Sequence, residues 1–342
     1  MRNIIIPWFL LLGALVACSP AATPALSPTA LAATATVPAP IAKPARLRIE
    51  IPTPPDIGDI PRLIAYDTMK AKGYSVESLS LADTTSTILA VEKGDLDFAN
   101  IANSSAWTAI QKGAPLVTLL DDTSNTYILA ANKDVRQCAD LNGKRVAVPS
   151  LSGSQAIMLS RYIETHCPGT KPNYLVISGK SNRPAGLLAG ELDAALMDQA
   201  DMPSLLSQRP GDFQAFLVFG QEFPELTTLS QFTRRDLATQ YPEAVKDWLR
   251  ALLDARRRIQ DPQVLAGEFV KRLGIDPVVA QATAAAYLEH KYWDVNGRYT
   301  PQIIQQNIDF YITAGSLKEG LKANDVADLS FLNAVLDDIG RK

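Results

Sequence analysis

Histidine is scarce in this sequence and cysteine is never clustered. Only two histidines, His166 and His290, and three cysteines occur among 342 residues. No Cys/His group has the spacing of metal ligands, which argues against a zinc site. No Ser/His/Asp or Cys/His arrangement for nucleophilic catalysis is legible, although a carboxylate pair for acid–base chemistry stays open. We therefore expect a protein that is not an enzyme and holds no metal or cofactor.

Basic runs and long apolar runs are also missing. The formal net charge is −3, and no Lys/Arg run resembles a nucleic-acid-binding footprint, so we expect no nucleic-acid partner. The apolar stretch at 4–16 is too short for a stable membrane span. The rest of the composition, 47% hydrophobic and 20% charged, is ordinary for a globular chain, and this length accommodates two domains.

The first 45 residues predict export and anchoring. Residues 1–17 have the basic start, apolar centre and small-residue end of a signal peptide. Cys18 follows Leu-Val-Ala and stands where the lipobox of bacterial lipoproteins carries its lipidated cysteine; the alternative is an ordinary secretory signal. Residues 18–45 are almost wholly Ala, Pro, Thr and Ser, which predicts an extended tether. We expect a lipid-anchored protein on the extracytoplasmic face of the cell membrane.

A short motif, G-[DE]-L-D-x-A, occurs at Gly94 and again at Gly190. Each copy follows a short amphipathic run, which predicts a helix, a glycine C-cap, a buried strand and a polar turn. Used twice, this unit predicts two similar α/β lobes. Ligands lie beyond the carboxyl ends of strands in open α/β sheets, so residues 100–105 and 198–201 are expected on opposite walls of one cleft. The alternatives are chance recurrence or a pattern common to βαβ units.

The predicted organisation follows from this repeat. The first part of lobe 1 takes residues 46–135, lobe 2 takes 136–225, and 226–342 returns to lobe 1 and ends in helices. A long amphipathic helix is predicted at 242–260. The run Arg256–Arg258 is interpreted as a solvated face with favourable charge in the last turn.

The two remaining cysteines are candidates for a disulfide. Cys138 lies just ahead of a predicted strand, and Cys167 ends the helix that runs back antiparallel to it. Both therefore lie at the same end of one strand–helix unit. Because exported proteins form disulfides readily, we expect a bridge; the alternative is two buried thiols.

Polar and aromatic residues near predicted strand ends are the candidate ligand-binding residues. Helix N-termini there present unpaired N–H groups, although plain capping or core packing is the alternative for each, Trp107 in particular. The candidates are Asp56, Asp59, Tyr66, Asp83, Asn103, Ser104, Trp107, Tyr127, Ser152, Ser154, Asn182, Asp198 and Gln199.

Several segments together resemble a known family. They are AVEKGDLDFA, LAGELDAAL, LNGKRVAVPSLSGS, RRDLATQYPEAVKDWLRALLDARRRIQDP and the tail GRYTPQIIQQNIDFYITAGSLK. The chain resembles substrate-binding proteins of ABC importers, in the group of sulfonate, taurine, nitrate and thiamine-pyrimidine binders. The resemblance covers about 45–340 and implies a type II periplasmic-binding-protein fold, with two doubly wound sheets around a ligand cleft. It also implies docking onto a membrane permease with its ATPase.

Two other functional classes share this fold. Enzymes that make the thiamine pyrimidine carry a CCCFC motif, which this chain lacks. A ligand-loaded sensor shares every feature noted above and stays open as an alternative to an importer component.

Charge and aromatic content bear on the ligand. The predicted rim is acidic, with Lys180 and Arg183 as the nearest basic candidates; its carboxylates are Asp56, Asp59, Asp83, Asp121, Asp122 and Asp198. Flat faces are available from Tyr66, Trp107, Tyr127 and Trp293. Carboxylates accept hydrogen bonds and oppose anions, which favours a neutral heteroaromatic ligand, with riboflavin as first choice. A thiamine-pyrimidine precursor and a sulfonate-, taurine- or nitrate-type anion are the alternatives.

Overall fold

The computed structural model describes residues 43–151, 153–177, 179 and 182–342. The predicted signal peptide, Cys18 and nearly all of the tether lie outside the described residues, as do Ser152 and Lys180. None of the described helices has the length and apolarity that a membrane crossing requires.

The described chain alternates strands and helices through its first two thirds and ends in helices. The strands are β1 (Leu47–Glu50), β2 (Val76–Leu79), β3 (Ala99–Ala102), β4 (Leu116–Thr123), β5 (Tyr127–Asn132), β6 (Arg145–Val148), β7 (Asn173–Val176), β8 (Ala194–Asp198), β9 (Phe213–Val218) and β10 (Leu229–Arg234). The helices are α1 (Ile60–Ala71), α2 (Thr84–Lys93), α3 (Asn103–Gln111), α4 (Ser154–His166), α5 (Asn182–Leu188), α6 (Met202–Gln208), α7 (Phe219–Glu222), α8 (Arg235–Gln240), α9 (Pro242–Arg258), α10 (Pro262–Leu273), α11 (Pro277–Glu289), α12 (Pro301–Thr313), α13 (Ala323–Val326) and α14 (Ser330–Ile339).

Two lobes repeat one strand order. In lobe 1, β2 pairs with β1 and β10 lies between β3 and β4, while a parallel bridge from Ile49 to Phe98 joins the two groups. Lobe 2 has the order β7-β6-β8-β5-β9. In each lobe, the first strand that the chain forms after crossing from the other lobe is antiparallel to its neighbours. This strand is β10 in lobe 1 and β5 in lobe 2. The predicted two-lobed α/β architecture is therefore present.

The repeated motif has the same structural role in both lobes. The carboxylate of Asp97 accepts from the backbone N–H of Arg48 at 2.8 Å, and that of Asp193 accepts from the backbone N–H of Arg145 at 2.8 Å. Each arginine side chain also donates to the carbonyl of the motif glycine. The glycines are left-handed, with φ of 76° at Gly94 and 73° at Gly190, which favours glycine. The motif thus fastens β3 to β1 in lobe 1 and β8 to the equivalent strand β6 in lobe 2.

The strand pairing bears on the predicted domain boundary. β5 pairs with β8 and β9, so residues from Tyr127 onward belong to the second sheet. The division at 135 stays a prediction, and this pairing favours a crossover at 124–126. The chain returns to lobe 1 between β9 and β10, through 219–228.

Helix α9 packs its apolar face against lobe 1. Trp248 stacks on Phe98 with ring centroids 5.3 Å apart, and Leu249, Leu252 and Leu253 are fully buried. Burying such a side chain stabilises by about 1.5–3 kcal/mol. The interpretation of Arg256 as solvated is wrong, because its side chain is only 1% exposed and pairs with Asp121.

The two cysteines of lobe 2 are joined. Cys138 and Cys167 form a disulfide with their Cα atoms 5.9 Å apart. Cys138 begins a 3-10 turn before β6, and Cys167 caps the end of α4. The predicted bridge between the ends of this strand–helix unit is present, and it closes a loop of 29 residues in separation.

Candidate functional site

A polar cavity of about 210 Å³ lies between the lobes. Both lobes and the C-terminal region contribute to its lining, as expected for a cleft. Lobe 1 and the C-terminal region supply Glu50, Pro52, Asp56, Gly58, Asp59, Arg62, Asn100, Asp122, Thr123, Leu229 and Tyr292. Lobe 2 supplies Tyr127, Gln155, Arg183, Asp198 and Asp201. We call this space the cleft cavity.

The turn between β1 and α1 forms one wall. The carboxylate of Asp56 accepts from the N–H of Gly58 at 2.8 Å, and the Asp56 N–H donates to Asp59 Oδ2 at 2.7 Å. This reciprocal capping box fixes both carboxylates. A Cβ at Gly58 would lie 3.1 Å from Asp56 Oδ1 and 3.3 Å from the Tyr292 hydroxyl oxygen, so the bare glycine allows the turn to approach both.

Arg62 is held by two carboxylates of the same wall. Its Nη1 lies 2.6 Å from Glu50 Oε2, and its Nη2 donates to Asp59 Oδ1. Burial raises the pKa of Asp59 to about 6 and Asp56 adds to the rise, against the lowering effect of Arg62. Burial lowers the pKa of Arg62, but Asp59, Asp122 and Glu50 outweigh it and raise that pKa. The guanidinium is therefore charged and already paired within the protein.

The end of β4 presents two adjacent carboxylates to different surroundings. Asp122 lines the cleft cavity and accepts from Gln231 Nε2 at 2.7 Å. Asp121 is fully buried, lies 2.9 Å from Arg256 Nη1, and is 3.5 Å from Arg298 Nε. Burial raises the pKa of Asp121, against the lowering effects of those two arginines. Only Asp122 is therefore available to the cleft.

Lobe 2 contributes the opposite wall. Asp198 Oδ1 accepts from the N–H of Ala200 at 3.0 Å, and its Oδ2 accepts from Thr126 Oγ1 at 3.2 Å. Arg183 is buried and donates to the carbonyls of Leu196 and Ile177 at 2.5 and 3.1 Å. Burial lowers the pKa of Arg183. This second guanidinium is also directed at protein acceptors.

Tyr292 joins the walls from the C-terminal region. Its hydroxyl donates to Asp198 Oδ2 at 3.3 Å, and its ring packs on Tyr287 and Trp293. Burial, with Asp198 second, raises the Tyr292 pKa well above its usual value, so the hydroxyl remains a donor. The sequence prediction missed this residue because it follows a helix, not a strand.

Four predicted site residues meet in the cleft cavity: Asp56, Asp59, Tyr127 and Asp198. The predicted turns around Asn100 and Asp198 do share this space, although Asn103 and Ser104 do not line it. The sequence also missed Glu50 and Gln155, whereas Asp201 lies in the range 198–201 that was expected on one wall. The pairing of Arg62 with Asp59 could have been predicted, because the two residues are three positions apart at the start of a helix, where oppositely charged pairs are common.

The structure places the other candidates elsewhere. Asp83 is the exposed N-cap of α2 and accepts from the N–H of Ser86. Tyr66 donates to the Val76 carbonyl, and Trp107 is core, with Nε1 donating to Thr118. Ser104 is buried beside a groove between α2 and α3.

Four more candidates complete the account. Asn103 is fully buried and donates to Thr227 and Tyr299, while Ser154 accepts from the Tyr311 hydroxyl. Asn182 begins α5 and is exposed. Gln199 lies 2.8 Å from His290, lining a different cavity. Ser152 is outside the described residues.

The cleft cavity favours binding of hydrogen-bond donors. Six carboxylates line it against two guanidinium groups, and both guanidiniums bond to protein acceptors. Among the described residues, no group of three His, Cys, Asp or Glu side chains is arranged to hold a metal ion. Of the four aromatic residues predicted as flat faces, Tyr127 lines the cavity, and Tyr292 adds a second ring.

The chain is similar in sequence to a known periplasmic binding protein. The taurine-binding periplasmic protein of Escherichia coli (strain K12) is 24% identical over 202 residues, which cover 57% of this chain and 61% of that protein. The match thus spans about three fifths of the relative's length.

Two solved structures share the fold at low sequence identity. The periplasmic nitrate-binding protein NrtA from Synechocystis PCC 6803 superposes with a TM-score of 0.68 at 14% identity, covering 86% of this chain and 89% of that one. The alkanesulfonate-binding protein SsuA from Xanthomonas axonopodis pv. citri, bound to MOPS, gives 0.64 at 20% identity, covering 83% and 99%. The fold is therefore that of the two-lobed periplasmic binding proteins.

A family profile matches the sequence directly. The family described as "NMT1/THI5 like" matches residues 69–264, a segment that includes both copies of the repeated motif, most of lobe 2 and helix α9. Since this segment exceeds half of the chain, the protein belongs to the NMT1/THI5 like family.

Proposed function

We propose that the chain is the extracytoplasmic substrate-binding lipoprotein of an ABC importer. Its cleft captures a small ring ligand rich in hydrogen-bond donors and delivers it to a membrane permease and its ATPase. The family and the fold support a binding role, and the relatives named above are binding proteins, not enzymes. The predicted signal peptide and Cys18 support the location and the lipid anchor.

The proposed class of ligand rests on the charge of the cleft cavity. Six carboxylates face two guanidinium groups that already bond to protein acceptors. A buried carboxylate opposing an anion costs binding free energy. A carboxylate that accepts from N–H or O–H groups forms a strong, charge-assisted hydrogen bond. These relations support a cationic or neutral ligand with several donors.

The size and rings of the cleft cavity narrow this class. The cleft cavity, of about 210 Å³, is smaller than the range of about 300–1,000 Å³ that is usual for small-molecule pockets. That volume suits one substituted ring better than a fused ring system. Tyr127 and Tyr292 offer faces for stacking. An aminopyrimidine, the thiamine-precursor class, fits these conditions because its amino and hydroxymethyl groups can donate to the carboxylates.

Riboflavin is the second candidate. Its ring N–H and ribityl hydroxyls supply donors for the carboxylates of the cleft cavity. Its three fused rings need more room than 210 Å³, so its binding requires lobes set further apart than in this structure.

Taurine is the candidate that the Escherichia coli relative's name suggests. As a zwitterion it would place an ammonium group near the carboxylates and a sulfonate near Arg62 or Arg183. The sulfonate would then compete with Glu50 and the backbone carbonyls for those guanidiniums. A simple anion such as nitrate lacks the compensating ammonium.

Calorimetry on the purified mature protein separates these candidates. The titrants are 4-amino-5-hydroxymethyl-2-methylpyrimidine, riboflavin, taurine and nitrate, and mass spectrometry identifies any molecule that co-purifies. We expect the aminopyrimidine to bind most tightly and nitrate not to bind at micromolar concentration. Tight nitrate or taurine binding without aminopyrimidine binding would overturn the proposed ligand class.

A matched pair of variants locates the binding site. Asp198→Asn removes a cleft carboxylate without changing side-chain shape, and we expect it to weaken aminopyrimidine binding at least tenfold. Asp83→Asn is the control, because this exposed carboxylate caps α2 away from the cavity. Equal affinity of both variants would place the ligand elsewhere.

A transport assay separates an importer component from a sensor. A strain that lacks the gene should lose uptake of the ligand identified by calorimetry. Unimpaired uptake would instead support sensing.

A further inference from the structure

A second polar cavity, of about 260 Å³, lies where the chain passes between the lobes. It is lined by the outgoing crossover, residues 124–126, by Gln199, by residues between 218 and 224 at the start of the return crossover, and by the C-terminal segment that carries His290, Lys291 and Arg298. We call it the hinge cavity. Nothing in the family match or the proposed cleft ligand accounts for it.

The hinge cavity is basic where the cleft cavity is acidic. His290, Lys291 and Arg298 line it, and the described lining residues include no Asp or Glu. Arg298 Nη2 donates to Ser124 Oγ at 2.7 Å and its Nη1 to the Pro224 carbonyl at 3.3 Å. Its Nε is buried without a hydrogen-bond partner. A guanidinium in this position attracts an oxyanion.

Carboxylates near Arg298 are already engaged. Asp121 lies 3.5 Å from Arg298 Nε, but it also pairs with Arg256 at 2.9 Å. Two guanidiniums thus share this buried carboxylate. Asp294 accepts from the backbone N–H groups of Asn296 and Arg298 at 2.8 and 3.0 Å. With Lys291 added, the positive charge beside the cavity exceeds what these two carboxylates balance.

The side-chain oxygen of Asn125 lacks a hydrogen-bond donor, which is a second observation beside the basic charge. The residue lines the cavity and is 6% exposed, and its Nδ2 donates to Met158 Sδ at 3.2 Å. Its Nδ2 lies 3.4 Å from the Phe223 carbonyl, which only accepts, so the amide orientation is fixed. Its Oδ1 is buried with no partner, which is costly unless a donor approaches. The occupant therefore needs both acceptor oxygens for the basic groups and an O–H for Asn125.

The local backbone is unusual in the same place. Among described residues other than glycine, Lys291 and Arg298 alone have positive φ, at 48° and 52°. Such conformations concentrate at functional sites. Across the cavity, a Cβ at Gly220 would lie 2.4 Å from the Asn125 carbonyl oxygen, so only glycine lets α7 approach the outgoing crossover this closely.

We propose that the hinge cavity binds a small protonated oxyanion, of the hydrogen-phosphate or bicarbonate class. Arg298 and Lys291, with His290 at the rim, face its acceptor oxygens, and Asn125 Oδ1 accepts from its O–H group. Sulfate and nitrate have comparable charge or shape but no O–H at neutral pH, so they leave Asn125 unsatisfied.

The test titrates the purified mature protein with phosphate at pH 7 and constant ionic strength, using calorimetry and phosphorus NMR. We expect saturable binding of phosphate, and of bicarbonate in a parallel calorimetric titration, with sulfate at least tenfold weaker. No saturation up to the order of 10 mM phosphate would overturn the proposal. An equal response to sulfate and phosphate would also overturn it, because it would show a general salt effect.

Variants place the bound phosphate in the hinge cavity or elsewhere. Lys291→Asn removes the charge at a position whose left-handed backbone asparagine tolerates, and we expect about tenfold weaker phosphate binding. Asn125→Asp, which sets a carboxylate against the anion, should weaken it further. Lys112→Gln, an exposed lysine on the far groove, is the matched control and should leave binding unchanged.

The Asp198→Asn variant tests whether phosphate binds in the cleft cavity instead of the hinge cavity. If phosphate occupied the cleft cavity near Arg62 or Arg183, removing a cleft carboxylate would strengthen binding and Lys291→Asn would not alter it. That pair of results would overturn the hinge assignment. Circular dichroism and thermal unfolding of each variant confirm that a lost response reflects the site and not the fold.

Discussion

The cleft cavity and the hinge cavity are similar in size but opposite in charge. The first holds six carboxylates and two guanidiniums, whereas the second holds His290, Lys291 and Arg298 and, among its described lining residues, no carboxylate. Residues of the C-terminal region contribute to both cavities. The difference in charge is the basis on which we propose a donor-rich ligand for the first cavity and an acceptor-rich one for the second.

One dipeptide separates the two environments. Asp121 and Asp122 are consecutive in β4, and successive side chains of a strand point to opposite faces. Asp122 lines the cleft cavity, while Asp121 pairs with Arg256 and lies 3.5 Å from Arg298 of the hinge cavity. Arg256 also donates to the carbonyls of both aspartates, at 2.6 and 2.9 Å. Arg256 therefore holds the wall that the two cavities share.

Removing Arg256 should have the largest effect on both cavities. Arg256→Met leaves Asp121 buried without its main partner, which we expect to lower the free energy of unfolding by about 3–5 kcal/mol. Urea denaturation followed by circular dichroism measures the loss. The double variant Arg256→Met/Asp121→Asn should recover part of it, because the fully buried carboxylate no longer carries a charge, although Arg298 then loses its contact with Asp121.

Arg258→Met is the matched control for this change. Its side chain is 57% exposed and its partner Glu268 keeps a second ion pair with Arg272, so we expect a loss below about 1 kcal/mol. Equal losses at Arg256 and Arg258 would contradict the role assigned to the shared wall.

Gly220→Ala should disturb the hinge cavity alone. The added methyl would lie 2.4 Å from the Asn125 carbonyl oxygen, and forcing such contacts costs about 1–3 kcal/mol. The free energy of unfolding should fall by this amount and phosphate binding should weaken, while the cleft ligand keeps its affinity. Loss of cleft binding with unchanged phosphate binding would reverse the assignment of the two cavities.

Gly267→Ala provides the comparison within the same chain. This exposed glycine lies inside α10, with no atom within 4 Å of the added Cβ. Alanine is the better helix former by about 1 kcal/mol. We expect a small gain in stability and no change at either cavity.

The repeated motif predicted the two lobes because its role is local. Asp97 bonds β1 and Asp193 bonds the equivalent strand β6, so their spacing recurs in the sequence. Asn100 in β3 and Asp198 at the end of β8 then follow, and both line the cleft cavity. Tyr292 reaches the same cavity through long-range packing of the C-terminal region, which no local spacing encodes.

The spacing of Arg256 along α9 indicates burial, although its charge suggests exposure to solvent. It follows Leu249, Leu252 and Leu253 at seven, four and three residues, which places it on the apolar face of α9. Its position in an arginine triplet favoured a solvated interpretation. Helical periodicity, applied without regard to charge, would have indicated burial. The hinge cavity had no such signal, since its residues come from four distant parts of the sequence.

Acidification should weaken binding in the cleft cavity more than in the hinge cavity. Asp59 has a pKa of about 6, raised by burial and by Asp56 against Arg62. Above that pH it is ionised and is a strong acceptor for a donor group of the ligand; as pH falls through about 6 it takes up a proton and this acceptor is weakened. We expect the aminopyrimidine to bind several-fold more weakly at pH 5 than at pH 7.5.

Calorimetry at both pH values with Asp59→Asn tests the assignment. The variant keeps the Arg62–Glu50 pair, at 2.6 Å, but lacks the titrating carboxylate. Its affinity should vary less between pH 5 and 7.5 than that of the native protein, after correction for titration of the ligand. An unchanged pH dependence would assign the effect to another group.

The smallest expected effect concerns the hydroxyl of Tyr292. It lies 3.3 Å from Asp198 Oδ2, beyond the 2.5–3.0 Å usual for an O–H···O hydrogen bond. Tyr292→Phe should therefore change the cleft affinity by less than about 1 kcal/mol, or roughly fivefold. Tyr292→Leu, which also removes the flat ring, should weaken a ring ligand more, and neither variant should alter phosphate binding. Equal and large losses for phenylalanine and leucine would show that the hydroxyl, and not the ring, holds the ligand in the cleft.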